Sequence, residues 1–232
     1  MFQTLMMEDR LRLEFNEWAR DGRGESMERG HRPTGEQAIG RMNVPAEARV
    51  LDVGCGNGWA TRLLAKQASL GQVIGIDISD DMIRSARDAS AGIENVEFQV
   101  ASAERLPFDG ASFTHAFSME SLYYYADMAG ALREIRRVLA AVGLFVAVVD
   151  LYQENEPSHQ WIDDLKVPVQ LLSIAQYRHL FEEAGFVAVR DERLYNPVSV
   201  PEDYSGGSFT RREDYVRYLA AGSLMMSGRV KA

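Results

Sequence analysis

The sequence predicts an α/β fold: a single doubly wound, mainly parallel, seven-stranded sheet with helices on both faces, behind an N-terminal helical cover. Three observations predict it. From residue 49 onward short β-type runs alternate with helical ones, a pattern that pairs strands in parallel through right-handed crossovers. At 232 residues the chain is long enough to bury one sizeable core and short for two. Its 46% hydrophobic and 25% charged residues are ordinary for a globular protein and exclude disordered, fibrous and low-complexity classes.

Met7, Leu11, Phe15 and Trp18 recur at helical spacing and give a first helix one apolar face. Residues 21–32, rich in glycine and charge, read as a loop. Thr34 and Gln37 have capping-box spacing, and Ile39 and Met42 then face a short second helix ending near Pro45. Residues 1–45 are therefore the expected cover and 46–232 the main domain. There, residues 49–53, 72–77, 96–100, 113–117 and 144–149 are β-type, while 58–68, 80–89 and 128–139 are helical. Asp80 and Asp81 fall in a first helical turn, where the helix dipole favours them. Residues 151–172 read as an insertion. Ser173 and Gln176 repeat the capping-box spacing before a helix at 175–184 that stops at Gly185. Residues 186–194 and 223–227 are again β-type, with an irregular excursion at 195–210 between them, marked by Pro197, Pro201, Gly206 and Gly207.

The longest apolar run, residues 138–149, falls short of the ~18–20 residues that span a bilayer. The N-terminus reaches Glu8 and Asp9 before an apolar stretch of secretory length develops, so a cytoplasmic chain with no membrane partner is expected. A lone Cys55 excludes an internal disulfide and a multi-cysteine metal site. The four histidines include no pair at i, i+4 ligand spacing, so no metal is expected. With 25 Lys+Arg against 34 Asp+Glu, the net charge of −9 opposes binding to nucleic acid.

Ligands of doubly wound sheets bind outside the carboxyl ends of the strands. There the sequence places Leu51-Asp52-Val53-Gly54-Cys55-Gly56-Asn57-Gly58, an apolar strand entering a glycine turn and then a helix. Gly54 and Gly56 allow a tight bend and close approach of backbone to a ligand. Alone, the turn has a second reading as a tight strand-to-helix connection. The dinucleotide fingerprint G-x-G-x-x-G fails in both registers, because Trp59 or Thr61 stands where its last glycine belongs. Asp77 ends the second strand about twenty residues on, where an acid accepts hydrogen bonds from ribose hydroxyls. Its other reading, a helix cap, is better filled by Ser79 and Asp80.

This combination resembles the class I S-adenosylmethionine-dependent methyltransferases, over roughly residues 42–185 and in three segments: the glycine motif with its preceding Asp52; Ile74-Gly75-Ile76-Asp77-Ile78 with Met82; and Ala101-Ser102-Ala103-Glu104-Arg105-Leu106-Pro107-Phe108. The resemblance implies a Rossmann-like methyltransferase fold, S-adenosylmethionine as cofactor and S-adenosylhomocysteine as product. It assigns to the cofactor Asp52, Gly54, Cys55, Gly56, Asn57, Trp59, Asp77, Ile78 and Met82, the latter two flanking adenine. Ser102, Ala103 and Glu104 would meet the adenine edge, although Ser102 stands where many relatives carry Asp. Ser118 and Met119 would line the methyl-donor pocket. The Leu106-Pro107-Phe108-Asp109 continuation is similar to the small-molecule branch, which implies a metabolite acceptor. For Cys55 packing is favoured over nucleophilic chemistry, and Trp59 either borders the cofactor or packs beneath the sheet. Glu120, His31 and His159 are the candidate bases, Glu120 being equally a solvated acid; His115 and His179 read as structural. A nicotinamide-dependent oxidoreductase and a catalytically inactive cofactor-binding relative are the alternatives. Oligomeric state is not readable.

Overall fold

A computed structural model of the chain describes residues 2–232, with side chains from Met7 onward. Two helices, α1 (Phe2–Arg20) and α2 (Arg23–Met42), precede β1 (Arg49–Val53), α3 (Trp59–Gln67), β2 (Gln72–Asp77), α4 (Asp80–Ala89), β3 (Val96–Val100) and β4 (Phe113–Met119). Then come α5 (Met128–Val138), β5 (Leu139–Val149), α6 (Ile174–Glu183), β6 (Val187–Leu194), α7 (Arg212–Ala221) and β7 (Ser223–Arg229). The strand order is β3-β2-β1-β4-β5-β7-β6, with β1 to β5 parallel and β7 antiparallel to both its neighbours. The expected seven-stranded, mainly parallel sheet is present, and its order reverses between β1 and β4, the switch point at which a crevice opens.

Both sheet faces are covered, which is why the central strands are continuous apolar runs rather than alternating ones. Along β5, Phe145, Ala147 and Val149 face a core shared with Leu132, Ile135 and Phe181. The intervening Val146 and Val148 face a second core with Ile39, Met42 and Leu64. Side chains alternate across a strand, so each β5 residue is committed to one core or the other. Ser79 caps α4 by accepting from Met82 N, and the Ser173/Gln176 capping box opens α6 as its spacing predicts. Among the described residues no helix is long and apolar enough to cross a membrane.

The cover departs from expectation. Residues 21–32 do not form a loop: only Asp21 and Gly22 separate α1 from α2, and α2 runs through Pro33. Thr34 and Gln37 consequently sit mid-helix, where the Thr34 hydroxyl donates to His31 O and Gln37 Nε2 donates to Pro33 O and Tyr195 O. Two forces overcome the poor helix propensity of this segment. Arg32 pairs with both Glu28 and Glu36 at i, i±4. The glycines also let the helix lie close on the main domain, with Gly24 against Asn57 and Gly35 against Trp59. Sequence reasoning also missed α7, no residue of which is fully buried, so its apolar periodicity is weak.

A Cβ on Gly35 would lie 2.4 Å from the edge of the buried Trp59 ring. Gly35→Ala should therefore destabilise the chain by ~1–3 kcal/mol through overpacking, despite alanine's better helix propensity. Adding Trp59→Phe should recover part of the loss in thermal unfolding. A stabilised single variant would contradict the seating of α2.

Candidate functional site

A cavity of ≈ 990 Å³ opens at the carboxyl ends of the strands, roofed by α1, α2 and the segment 196–209. That volume accommodates two small molecules side by side. Its first end is built on the turn after β1. Gly54, Gly56 and Gly58 all have left-handed backbone, with φ of 73°, 52° and 77°. A Cβ at Gly54 would strike the Ser121 side chain at 2.5 Å, whereas one at Gly56 would meet nothing within 4 Å. The turn is thus packed from below and open toward the cavity at Gly56.

Backbone and carboxylate hold it in that shape. Gly54 N and Cys55 N both donate to Ile76 O, at 2.8 and 2.9 Å. Asp77 at the end of β2 accepts from Gly56 N on Oδ2 and from Ser79 N on Oδ1, each at 2.9 Å. Burial pushes its carboxyl up, and these N–H donors oppose the shift. Each oxygen keeps a further acceptor site, and Asp77 lies on the cavity wall. Asp52 accepts from Thr61 Oγ1 at 2.6 Å, tying β1 to α3, and burial pushes it from its ordinary 3.8 to about 7.

The other residues expected at this end divide into two groups. Ile78, Met82, Ala103 and Met119 present apolar surface to the cavity. Trp59 borders the cavity and also packs against Gly35 of α2. Cys55 lies in a small core with Ile83, Ala86 and Phe98; burial raises its thiol well above the ordinary range, which leaves it no nucleophile. Asn57 and Ser102 line the cavity with polar atoms already engaged by the cover: Asn57 Nδ2 donates to Glu28, and the Ser102 hydroxyl donates to Glu8. Glu104 accepts from Asp127 N. Ser118 is corrected. At 1% exposure it lies beneath the floor, bonded to Ser121 Oγ, because strand alternation turns Met119 rather than Ser118 toward the opening. Ser121, which sequence reasoning missed, links Ser118, Tyr125 and Val53 O under Gly54.

At the second end Glu120 follows β4 with φ 52°, a left-handed backbone rare outside glycine and found where geometry is held for a purpose. Its Oε2 accepts from Tyr123 OH at 2.7 Å and its Oε1 from Asp150 N at 2.5 Å. Asp150, at the end of β5 and 2% exposed, was also missed; its Oδ2 accepts from Tyr218 OH at 2.6 Å and lies 3.3 Å from His31 Nδ1. Burial and the neighbouring Asp150 push Glu120 up to about 8. Burial opposes the His31 imidazolium, but Asp150 and Glu120 outweigh it and hold His31 above its ordinary value. Glu120 is therefore a half-buried acid on the cavity wall rather than a freely solvated one. Aromatic rings complete this end, Phe15 meeting Tyr124 edge-on and Trp161 packing against Phe209 and Tyr218.

His159 is corrected: its Nε2 bonds to Tyr152 O at 3.1 Å, and it does not reach the cavity. It belongs to a 3₁₀ segment, Glu156–Asp164, whose three-residue period turns Trp161 and Asp164 inward and His159 away. The expectation of no metal rested on short-range histidine spacing, which does not see side chains brought together from distant segments. His31, Glu120 and Asp150 bring three ligand-type atoms within 4.8 Å of one another from distant segments.

Residues 51–147 match the family described as "Methyltransferase domain". The chain is 34% identical, with a TM-score of 0.89, to a chain in the "Complex between the Haloferax volcanii Trm112 methyltransferase activator and the putative methyltransferase", covering 94% of this chain and 98% of that one. It is 37% identical over 161 residues to the uncharacterized methyltransferase YcgJ of Bacillus subtilis, covering 65% of this chain and 61% of YcgJ. It is 33% identical over 119 residues to a demethylmenaquinone methyltransferase of Staphylococcus epidermidis, the match covering 51% of this chain and 49% of that protein. The chain thus spans about half the length of that curated relative. The chain belongs to a methyltransferase family, and the nicotinamide oxidoreductase reading is set aside.

The raised Asp52 carboxyl has a measurable consequence. Folding holds a proton on Asp52 that the unfolded chain loses above its ordinary 3.8, so stability falls as pH rises from there toward about 7. Asp52→Asn keeps an acceptor for Thr61 and removes this dependence. Relative to wild type, the variant should gain up to ~3 kcal/mol between about pH 5 and pH 8 in urea unfolding. Parallel pH profiles would contradict the assignment.

Proposed function

We propose that this chain binds S-adenosylmethionine over the Gly54–Gly58 turn and transfers its methyl group to an oxygen, nitrogen or carbon of a small metabolite seated between Glu120, His31 and the aromatic wall. The observation that carries this reading is the cradle at Gly56: open space where a side chain would stand, beside an Asp77 carboxylate with unused acceptor capacity. A nucleoside carrying vicinal sugar hydroxyls fits that donor–acceptor arrangement. When bound, the sulfonium supplies a methyl carbon already activated for in-line displacement, with a leaving thioether that needs no acid.

The chain's own part is orientation and proton handling. Asp77 receives the sugar hydroxyls, Ile78, Met82 and Ala103 cover the adenine, and Met119 borders the path between the two ends of the cavity. Alignment of an acceptor along the carbon–sulfur axis supplies much of the rate. An acceptor that must lose a proton meets Glu120 or His31, both on the cavity wall. α1 and α2 exclude water above the reacting atoms.

Calorimetry with S-adenosylhomocysteine tests the binding half. Asp77→Ala should weaken affinity at least tenfold, and Asp77→Asn, which still accepts from Gly56 N, should fall between it and wild type. Equal affinity in all three proteins would remove Asp77 from the site and with it this reading.

A further inference from the structure

The second end of the cavity carries an arrangement that methyl transfer by itself does not require. We propose that His31 Nδ1, one oxygen of Glu120 and Oδ1 of Asp150 bind a single divalent first-row transition ion, whose remaining coordination positions face the acceptor chamber. The ion's use, holding an acceptor oxygen in line with the donated methyl, rests on the methyltransferase reading; its binding does not.

Four observations carry the site. One ligand-type atom from each of the three side chains lies within 4.8 Å of the other two, although the residues come from α2, the end of β4 and the end of β5. Donors bound at ~2.0–2.2 Å around one ion stand roughly 3–3.6 Å apart, so the three side chains would have to draw inward to close on it. Asp150 Oδ1 is buried without a hydrogen-bond partner, and His31 Nδ1 meets Asp150 Oδ2 as a 3.3 Å ion-pair contact without hydrogen-bond alignment. Idle buried lone pairs are uncommon and call for an explanation such as an ion.

The two carboxylates are also held in place by outer hydrogen bonds. Tyr218 OH holds Asp150 Oδ2, while Tyr123 OH and Asp150 N hold the Glu120 carboxylate. Fixed outer hydrogen bonds with free inner lone pairs are the arrangement that orients metal ligands. Charge agrees. Among the described residues neither carboxylate pairs with Lys or Arg, and His31 is the one basic partner of Asp150. A divalent ion replaces two protons in this pocket without changing its net charge. One imidazole nitrogen with two carboxylate oxygens favours manganese, iron or zinc over magnesium or calcium, which prefer oxygen alone. Three protein ligands leave positions open, and Glu120 and His31 are on the cavity wall, so those positions are accessible to a small molecule.

The test uses the whole chain, stripped with chelator and titrated with Mn²⁺ alone, bound ion being read from loss of the free-ion paramagnetic resonance signal. The expected result is one ion per chain. Affinity should fall at least tenfold in Glu120→Gln, Asp150→Asn and His31→Gln, and measurably in Tyr218→Phe, which removes only an outer bond. S-adenosylhomocysteine affinity, measured on the same proteins, reports whether each variant is folded; should the buried Asp150→Asn misfold, His31→Gln on the cover decides. Asp77→Ala should lose the nucleoside and keep the ion, which separates failure of this site from failure of the cofactor reading. No stoichiometric Mn²⁺ binding, or equal binding by wild type and His31→Gln, overturns the proposal.

Discussion

The Asp77 carboxylate, held between Gly56 N and Ser79 N, is the contact on which the site depends. It joins the turn after β1 to the start of α4, beside the switch point of the sheet. With the bonds from Gly54 N to Ile76 O and from Gly58 N to Cys55 O, it holds three left-handed glycines in a shape that leaves open space above Gly56. Asp52 repeats the device one level lower, tying the end of β1 to α3 through Thr61. In both cases burial raises the cost of the charge, and hydrogen-bond donors fixed by the fold offset it. The crevice is shaped by carboxylates at strand ends, a location that the parallel sheet supplies repeatedly.

The same principle operates at the opposite end of the cavity. Glu120 and Asp150 terminate β4 and β5 as Asp77 terminates β2, and all are on the side where crossovers leave the sheet uncovered. What differs is the roof. α2 contacts the glycine turn through Gly24 and Asn57, contacts α3 through Gly35 and Trp59, and delivers His31 to Asp150. One helix therefore touches both ends of the cavity. Its close seating depends on glycines that lower its intrinsic helicity, so packing on the main domain supports a helix that would be marginal in isolation.

This division explains what was legible in the sequence. Central strands buried on both faces read as unbroken apolar runs, and the glycine turn with Asp77 reads from local spacing alone. The path of residues 21–32 does not, because the contacts that make it helical, Gly24 with Asn57 and Gly35 with Trp59, join segments far apart in the chain. Asp150 was within reach of the rule that singled out Asp77, an acid closing an apolar strand. Tyr218 was not, since it comes from a helix with no buried face and acts through Asp150. His159 misled because a 3₁₀ segment has a period of three, which turned its neighbour Trp161 inward instead.

The most direct measurement is a crystal structure of the chain with S-adenosylhomocysteine. The account predicts both sugar hydroxyls within ~2.6–3.0 Å of the Asp77 carboxylate, the nucleoside lying over Gly56, and the sulfur directed along Met119 toward Glu120. A nucleoside seated anywhere else, with the space above Gly56 filled by protein or solvent, would contradict it.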